Sequence, residues 1–93
     1  MINSSHPGDV LTEFYLAPLG ITPRDLADAL HAPAAPLERL AEGSGAVTPE
    51  LAVRLGRYFR TTPELWMNMQ TAWDLARARE ATNVDAIVPV EAA

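Results

Sequence analysis

The chain has 93 residues, 48% of them hydrophobic, no cysteine, and a formal net charge of −5. That length and hydrophobic share suit one globular domain with a core of its own and count against wholesale disorder. The lack of cysteine excludes disulfides, thiolate zinc sites and a cysteine nucleophile, and the acidic balance counts against non-specific attraction to a polyanion.

In chain order, Met1 to Ser5 read as a frayed terminus with neither a basic leader nor an apolar run, so no signal peptide is expected and a cytoplasmic location is the default. His6-Pro7-Gly8-Asp9 leads into Val10, Leu11, Phe14 and Tyr15, a short amphipathic helix that Pro18, Leu19 and Gly20 should end. His6 has no second ligand at metal spacing, which points to a structural role at the helix start. Thr22 is an N-cap, with Pro23 at the first helical position and Asp25 completing a capping box. The helix they open runs to about Leu30.

A second helix follows within a few residues, carrying Leu37, Leu40 and Ala41 at helical spacing. Pro36 disfavours helical dihedrals at Ala35, so this helix is expected to start late, near Pro36, or with a distorted turn. Gly43 and Gly45 stop it. The stretch Ile21 to Gly45 is thus a helix, a tight corner and a helix, the helix-turn-helix unit whose second helix can enter the major groove. Thr48-Pro49-Glu50 opens a further helix with Leu51, Ala52, Leu55 and Phe59 on one face. Thr62-Pro63-Glu64 opens the longest, about Pro63 to Ala81, with Leu65, Trp66, Met69, Ala72, Trp73 and Ala76 as a wide apolar stripe.

The fold class is therefore all-α, a compact domain over residues 1–82 followed by a tail, 83–93. In the tail Val84, Ile87, Val88 and Val90 are β-prone, but Pro89 and the short length oppose an independent strand. Two readings stand: a flexible tail, or a segment that orders on a partner by adding to a sheet edge. No run is apolar enough to cross a membrane. There is no Gly-rich phosphate loop and no His-x-x-x-His pair, and Ser4, Ser5 and His6 lack a fixed acid. No catalytic residue, metal site or cofactor is assigned.

His6-Pro7-Gly8, Leu19-Gly20-Ile21-Thr22, Thr48-Pro49-Glu50-Leu51-Ala52 and Thr62-Pro63-Glu64-Leu65-Trp66-Met67-Asn68-Met69-Gln70 form a specific combination. With them the chain resembles the HigA/VapI antitoxins from His6 to about Arg79. The resemblance implies a five-helix, repressor-like protein, usually a homodimer, that neutralises a HigB-type endoribonuclease encoded beside it and often represses its own operon. The competing classes are a stand-alone helix-turn-helix transcriptional regulator without a toxin, and an antitoxin-like interaction module that has lost DNA binding.

On this resemblance the DNA-facing residues are Thr22, Pro23, Ala34, Ala35, Glu38, Arg39, Ser44 and Thr48. The reading turn departs from the usual serine-rich, basic pattern: Pro33, Ala34, Ala35, Pro36, Leu37 and Glu38 offer few hydrogen-bond donors, and Ser44 and Gly45 stand where relatives often carry basic residues. Each good base contact is worth about 1–3 kcal/mol, so operator binding weaker than is typical of the family is expected. Arg39 is the second helix's only cation; it either contacts DNA or pairs with Glu38 or Glu42. Thr22 and Thr48 can serve as caps, as phosphate contacts, or as both. Arg54, Arg57 and Arg60 flank the DNA, meet an acidic partner or are merely solvated. Trp66, Met69 and Trp73 are the candidate two-fold interface, with core packing expected for at least one tryptophan. His31 is read as a polar turn residue.

Overall fold

The computed structural model describes residues 5–91. The expected terminus at Met1 to Ser4, and Ala92 and Ala93 of the tail, lie outside the described residues. Pro7–Leu11, a wide π-helical turn at Thr12–Leu16 and Ala17–Leu19 run end to end as one helix, α1. α2 is Pro23–Leu30, α3 Ala34–Glu42, α4 Pro49–Phe59 and α5 Pro63–Ala81. No strand occurs among the described residues, so the domain is five helices with short connections.

The Thr-Pro starts act as the sequence indicates. The hydroxyls of Thr22, Thr48 and Thr62 accept from the N–H groups of Asp25, Leu51 and Leu65 at 3.0, 3.2 and 3.1 Å. Each satisfies one of the four N–H groups that a helix start leaves without partners. At α2 the box is complete, because Asp25 accepts in return from the Thr22 N–H at 3.1 Å.

The first helix ends within Pro18-Leu19-Gly20, as expected: it runs to Leu19, and Gly20 in the left-handed region (φ 68°) stops it. Pro18 lacks an N–H and its ring crowds the carbonyl one turn back. The π-helical turn just ahead of it, closed by Ala17 N–H to the Thr12 carbonyl, widens the helix at that point. In the same helix Phe14 is exposed rather than buried. One boundary differs from expectation: α3 begins at Ala34 with extended Pro33 as its cap, not late near Pro36. Pro36 then occupies the third helical position, where a missing N–H costs no intrahelical bond. The early start brings Leu37 and Leu40 onto the core side by side, which outweighs the dihedral preference at Ala35.

Leu11 and Leu16 of α1, Leu26, Ala27 and Leu30 of α2, Leu37 and Leu40 of α3, Val47, and Leu51, Ala52 and Leu55 of α4 form the core around Trp66. Trp66 has no exposed surface, donates its indole N–H to Thr61 Oγ1 at 2.9 Å, and lies against Tyr15 and Phe59. It therefore has nothing to give an interface, and its assignment to the dimer contact is corrected: it is the core tryptophan. Beyond Gln70 no residue of α5 is buried, and the last part of the helix projects from the body. Residues 82–91 are exposed and without strand; beyond the Thr82 N–H bond to the Ala78 carbonyl, they carry a turn in which the Asp85 N–H meets Asn83 Oδ1 and the Ile87 N–H meets the Val84 carbonyl, each at 2.9 Å. No described helix is long and apolar enough to cross a membrane.

Candidate nucleic-acid interface

α2 ends at His31, which takes up left-handed dihedrals (φ 54°), and Ala32 and Pro33 complete the corner into α3. The buried side of α3 is set by Leu37 and Leu40, with Ala34 and Ala41 half-buried beside them. Four- and three-residue spacing then places Ala35, Arg39 and Glu42 on the opposite, outward face, and all three are exposed. Pro36 and Glu38 flank that line. Of the expected contact residues, Ala34 is half-buried, with its methyl packed against the core.

One cross-helix pair adds to the electrostatics of this face. Arg24 of α2 lies 3.6 Å from Glu38 of α3, which offsets the charge that would repel phosphate. Arg39 is exposed and makes no ion pair among the described residues, so neither Glu38 nor Glu42 sequesters it. Its carbonyl is the anchor of the α3 stop. The N–H groups of Ser44 and Gly45 converge on that oxygen at 3.0 Å each, and the Ser44 hydroxyl donates to it at 3.3 Å. Gly43 makes this possible at φ 86°, a conformation only glycine adopts without penalty. Ser44 is thus engaged as a cap while remaining exposed.

Thr22 stands exposed at the start of α2, with Pro23 partly covered behind it. The Asp25 carboxyl is held below the usual carboxylate range by the backbone N–H of Thr22 first and by its hydroxyl second. Thr48, exposed at the start of α4, borders a shallow recess with Ala32, Pro33, Pro36 and Ala46. Thr22, Ala35, Pro36, Glu38, Arg39 and Thr48 are therefore all solvent-facing positions on or beside the helix-turn-helix.

Four features hold this unit in place, and the long-range partner in each does not follow from the sequence pattern. His6 caps α1 by accepting the Gly8 N–H on Nδ1 at 2.9 Å, and Nε2 donates to the carbonyl of Gly45 at 3.1 Å. Gly8 lies so close to Leu40 that a Cβ would overlap the Leu40 carbonyl, so α1 rests directly on the α3 backbone. Arg54 of α4 donates to the carbonyls of Leu30 and His31 at 2.8 and 3.3 Å while pairing with Glu50 at 3.0 Å. It closes the end of α2 rather than facing DNA or a partner; Arg57 and Arg60 remain exposed. Buried Gln70 accepts the Val47 N–H at 2.7 Å and donates to Asp74 at 2.9 Å, fixing the loop between α3 and α4. A glutamine inside an apolar stripe was the only sequence signal for this last contact. Met69 and Trp73 are half-buried, with Trp73 edge-on to His6 at 5.1 Å and beneath Arg77.

No family model matches the chain. It is 37% identical over 86 residues to virulence-associated protein I of Dichelobacter nodosus, covering 91% of this chain and 80% of that protein. It is 36% identical over 84 residues to the HTH-type transcriptional regulator YddM of Escherichia coli, covering 90% and 88%. Among solved structures, the antitoxin HigA of Pseudomonas aeruginosa with its higBA promoter superposes at a TM-score of 0.90, with 30% identity over 97% of this chain and 100% of that one. The chain belongs to the HigA/VapI-type family of helix-turn-helix antitoxins and regulators.

Proposed function

We propose that the protein is the antitoxin of a type II toxin–antitoxin pair: it binds and neutralises a HigB-type endoribonuclease and, as a homodimer, binds operator DNA through α2 and α3 to repress its own operon. What supports this most is the likeness along nearly the whole chain to a HigA bound to promoter DNA, together with an exposed α3 face that still carries an unsequestered Arg39. Thr22, Pro23, Ser44 and Thr48, at helix ends, are assigned to the phosphates, and Ala35, Glu38 and Arg39 to the groove. With so few donors, operator affinity is expected below that of relatives with polar reading helices. Met69 and Trp73, with Leu65, Ala72 and Ala76 on the same side of α5, are assigned to the two-fold contact. Residues 1–82 are the working unit and 83–93 an appendage to it.

The likeness to YddM supports a second reading, a regulator without a toxin. Co-expression with the product of the adjacent reading frame separates the two. A stable complex that abolishes that product's ribonuclease activity is expected for the antitoxin; no complex and no rescue of growth leaves the regulator. Anisotropy titration against the upstream DNA and a scrambled duplex tests the DNA arm, and equal affinities would remove it.

A further inference from the structure

Residues 33–45 of the helix-turn-helix contain no Asn, Gln or Lys, so the side chains that pair bidentately with adenine are missing from α3. Glu38, which could accept from cytosine, is shared with Arg24 across 3.6 Å and carries a charge that phosphate repels. What the outward face of α3 does offer is the exposed methyl of Ala35, the exposed ring of Pro36, and the guanidinium of Arg39, which has no ion pair among the described residues. Small apolar groups in the major groove recognise the thymine C5-methyl, and an arginine recognises guanine O6 and N7. Ala35 and Arg39 are four residues apart on one face, about 6 Å along the helix axis. That is less than two base-pair steps of about 3.4 Å.

Resting on the operator-binding reading above, we propose that Ala35, Pro36 and Arg39 set the sequence preference of this protein: each half-site presents a thymine methyl to Ala35 and Pro36 and, within two base pairs of it, a guanine to Arg39. Specificity then comes from one methyl contact and one bidentate pair rather than from a row of polar contacts. The face discriminates few positions, and it tolerates adenine–thymine exchange poorly only where the methyl is read.

The test begins with a duplex selected from a random pool by the full-length protein. Its thymines are replaced one at a time by 2′-deoxyuridine, which removes only the methyl, and its guanines by 7-deazaguanine, which removes only the N7 acceptor. One thymine per half-site is expected to weaken binding about three- to fivefold when demethylated, as fits the burial of a single methyl. A guanine within two base pairs is expected to weaken it tenfold or more, and Arg39→Ala, confirmed as folded by its helical circular dichroism, is expected to be indifferent to that deaza substitution. A duplex bound well above a scrambled control yet insensitive to every such replacement overturns this assignment and leaves operator binding standing. Failure to select any preferred duplex overturns both.

Discussion

Nε2 of His6 donates to the carbonyl of Gly45 across 3.1 Å and 39 positions of chain, joining the start of α1 to the loop that leaves α3. Because Nδ1 accepts from Gly8, the bonds together require the neutral ring with its proton on Nε2. The imidazole therefore caps one helix and holds the end of another. His6→Ala removes both bonds and is expected to cost about 1–3 kcal/mol in chemical denaturation. His6→Asn, which can restore the cap but not the reach to Gly45, should fall between that variant and wild type. Equal stability of the alanine and asparagine variants would show that the cap contributes nothing.

Gly8→Ala tests the neighbouring contact. The added methyl meets the backbone of Leu40, which cannot rotate away as a side chain would. The expected loss is about 3 kcal/mol or more, the upper range for overpacking. Because the displaced element is α3, the residual folded protein should also bind operator DNA more weakly than its stability alone predicts. A fully stable alanine variant would mean that α1 does not sit on α3 as described.

Gln70→Leu leaves the Val47 N–H buried without a partner. Removing one member of such a bond costs about 1–3 kcal/mol. Amide exchange at Val47 should accelerate by more than the global destabilisation explains, since the loop between α3 and α4 is freed locally. Unchanged Val47 exchange would place its bond elsewhere.

Much of this was legible in the sequence where the chemistry is local. Thr22, Thr48 and Thr62 act on groups three residues away, so a Thr-Pro pair is enough to place α2, α4 and α5. The apolar spacing likewise locates Leu26, Leu37 and Leu55 in the core. The start of α3 lies ahead of the sequence expectation because the restriction at Ala35 is a weak local preference, overruled by the burial of Leu37 and Leu40. Trp66 and Trp73 were indistinguishable because seven residues is almost two helical turns, which puts both on one side of α5. Only the packing of Tyr15 and Phe59 separates the core ring from the half-covered one. The tethers His6–Gly45, Arg54–Leu30 and Val47–Gln70 span 39, 24 and 23 positions, and no periodicity marks pairs of that kind. On the reading face, exposure of Ala35 and Arg39 follows from the pattern, whereas the Arg24–Glu38 pairing that partly discharges it does not.

The capping box gives α2 an acid-sensitive start. Asp25 titrates below its ordinary value in the folded chain because Thr22 donates to its carboxylate. A carboxyl with a depressed folded pKa stabilises fully above its unfolded pKa, and that contribution is lost as pH falls through the folded value. Stability should therefore decline on acidification below the usual carboxylate range, and Asp25→Asn should flatten that part of the profile while leaving the Thr22 cap in place. An identical acid slope in the two proteins would assign the sensitivity to other carboxyls.

Ala72 offers the least invasive probe of the proposed two-fold contact. It is exposed on α5, three residues after Met69 and beside Trp73, yet it belongs to neither the core nor the His6 contact. Trp73→Asp would disturb the edge-on packing with His6, so a change in assembly there could be blamed on the fold. Ala72→Glu instead places a charge at the centre of the assigned face, where interface cores exclude charged residues. On the proposed dimer, equilibrium sedimentation should show the wild type as a dimer and this variant as a monomer at the same concentration. Because no monomer core residue is touched, helical circular dichroism should be unchanged. Operator affinity should fall with the dimer, since half-sites are then bound singly and the gain from linking two weak reading helices disappears. A glutamate variant that remains a dimer and binds DNA like the wild type would exclude this side of α5 and direct the search to the exposed outer face of α4, where Val53 and Tyr58 lie open to solvent.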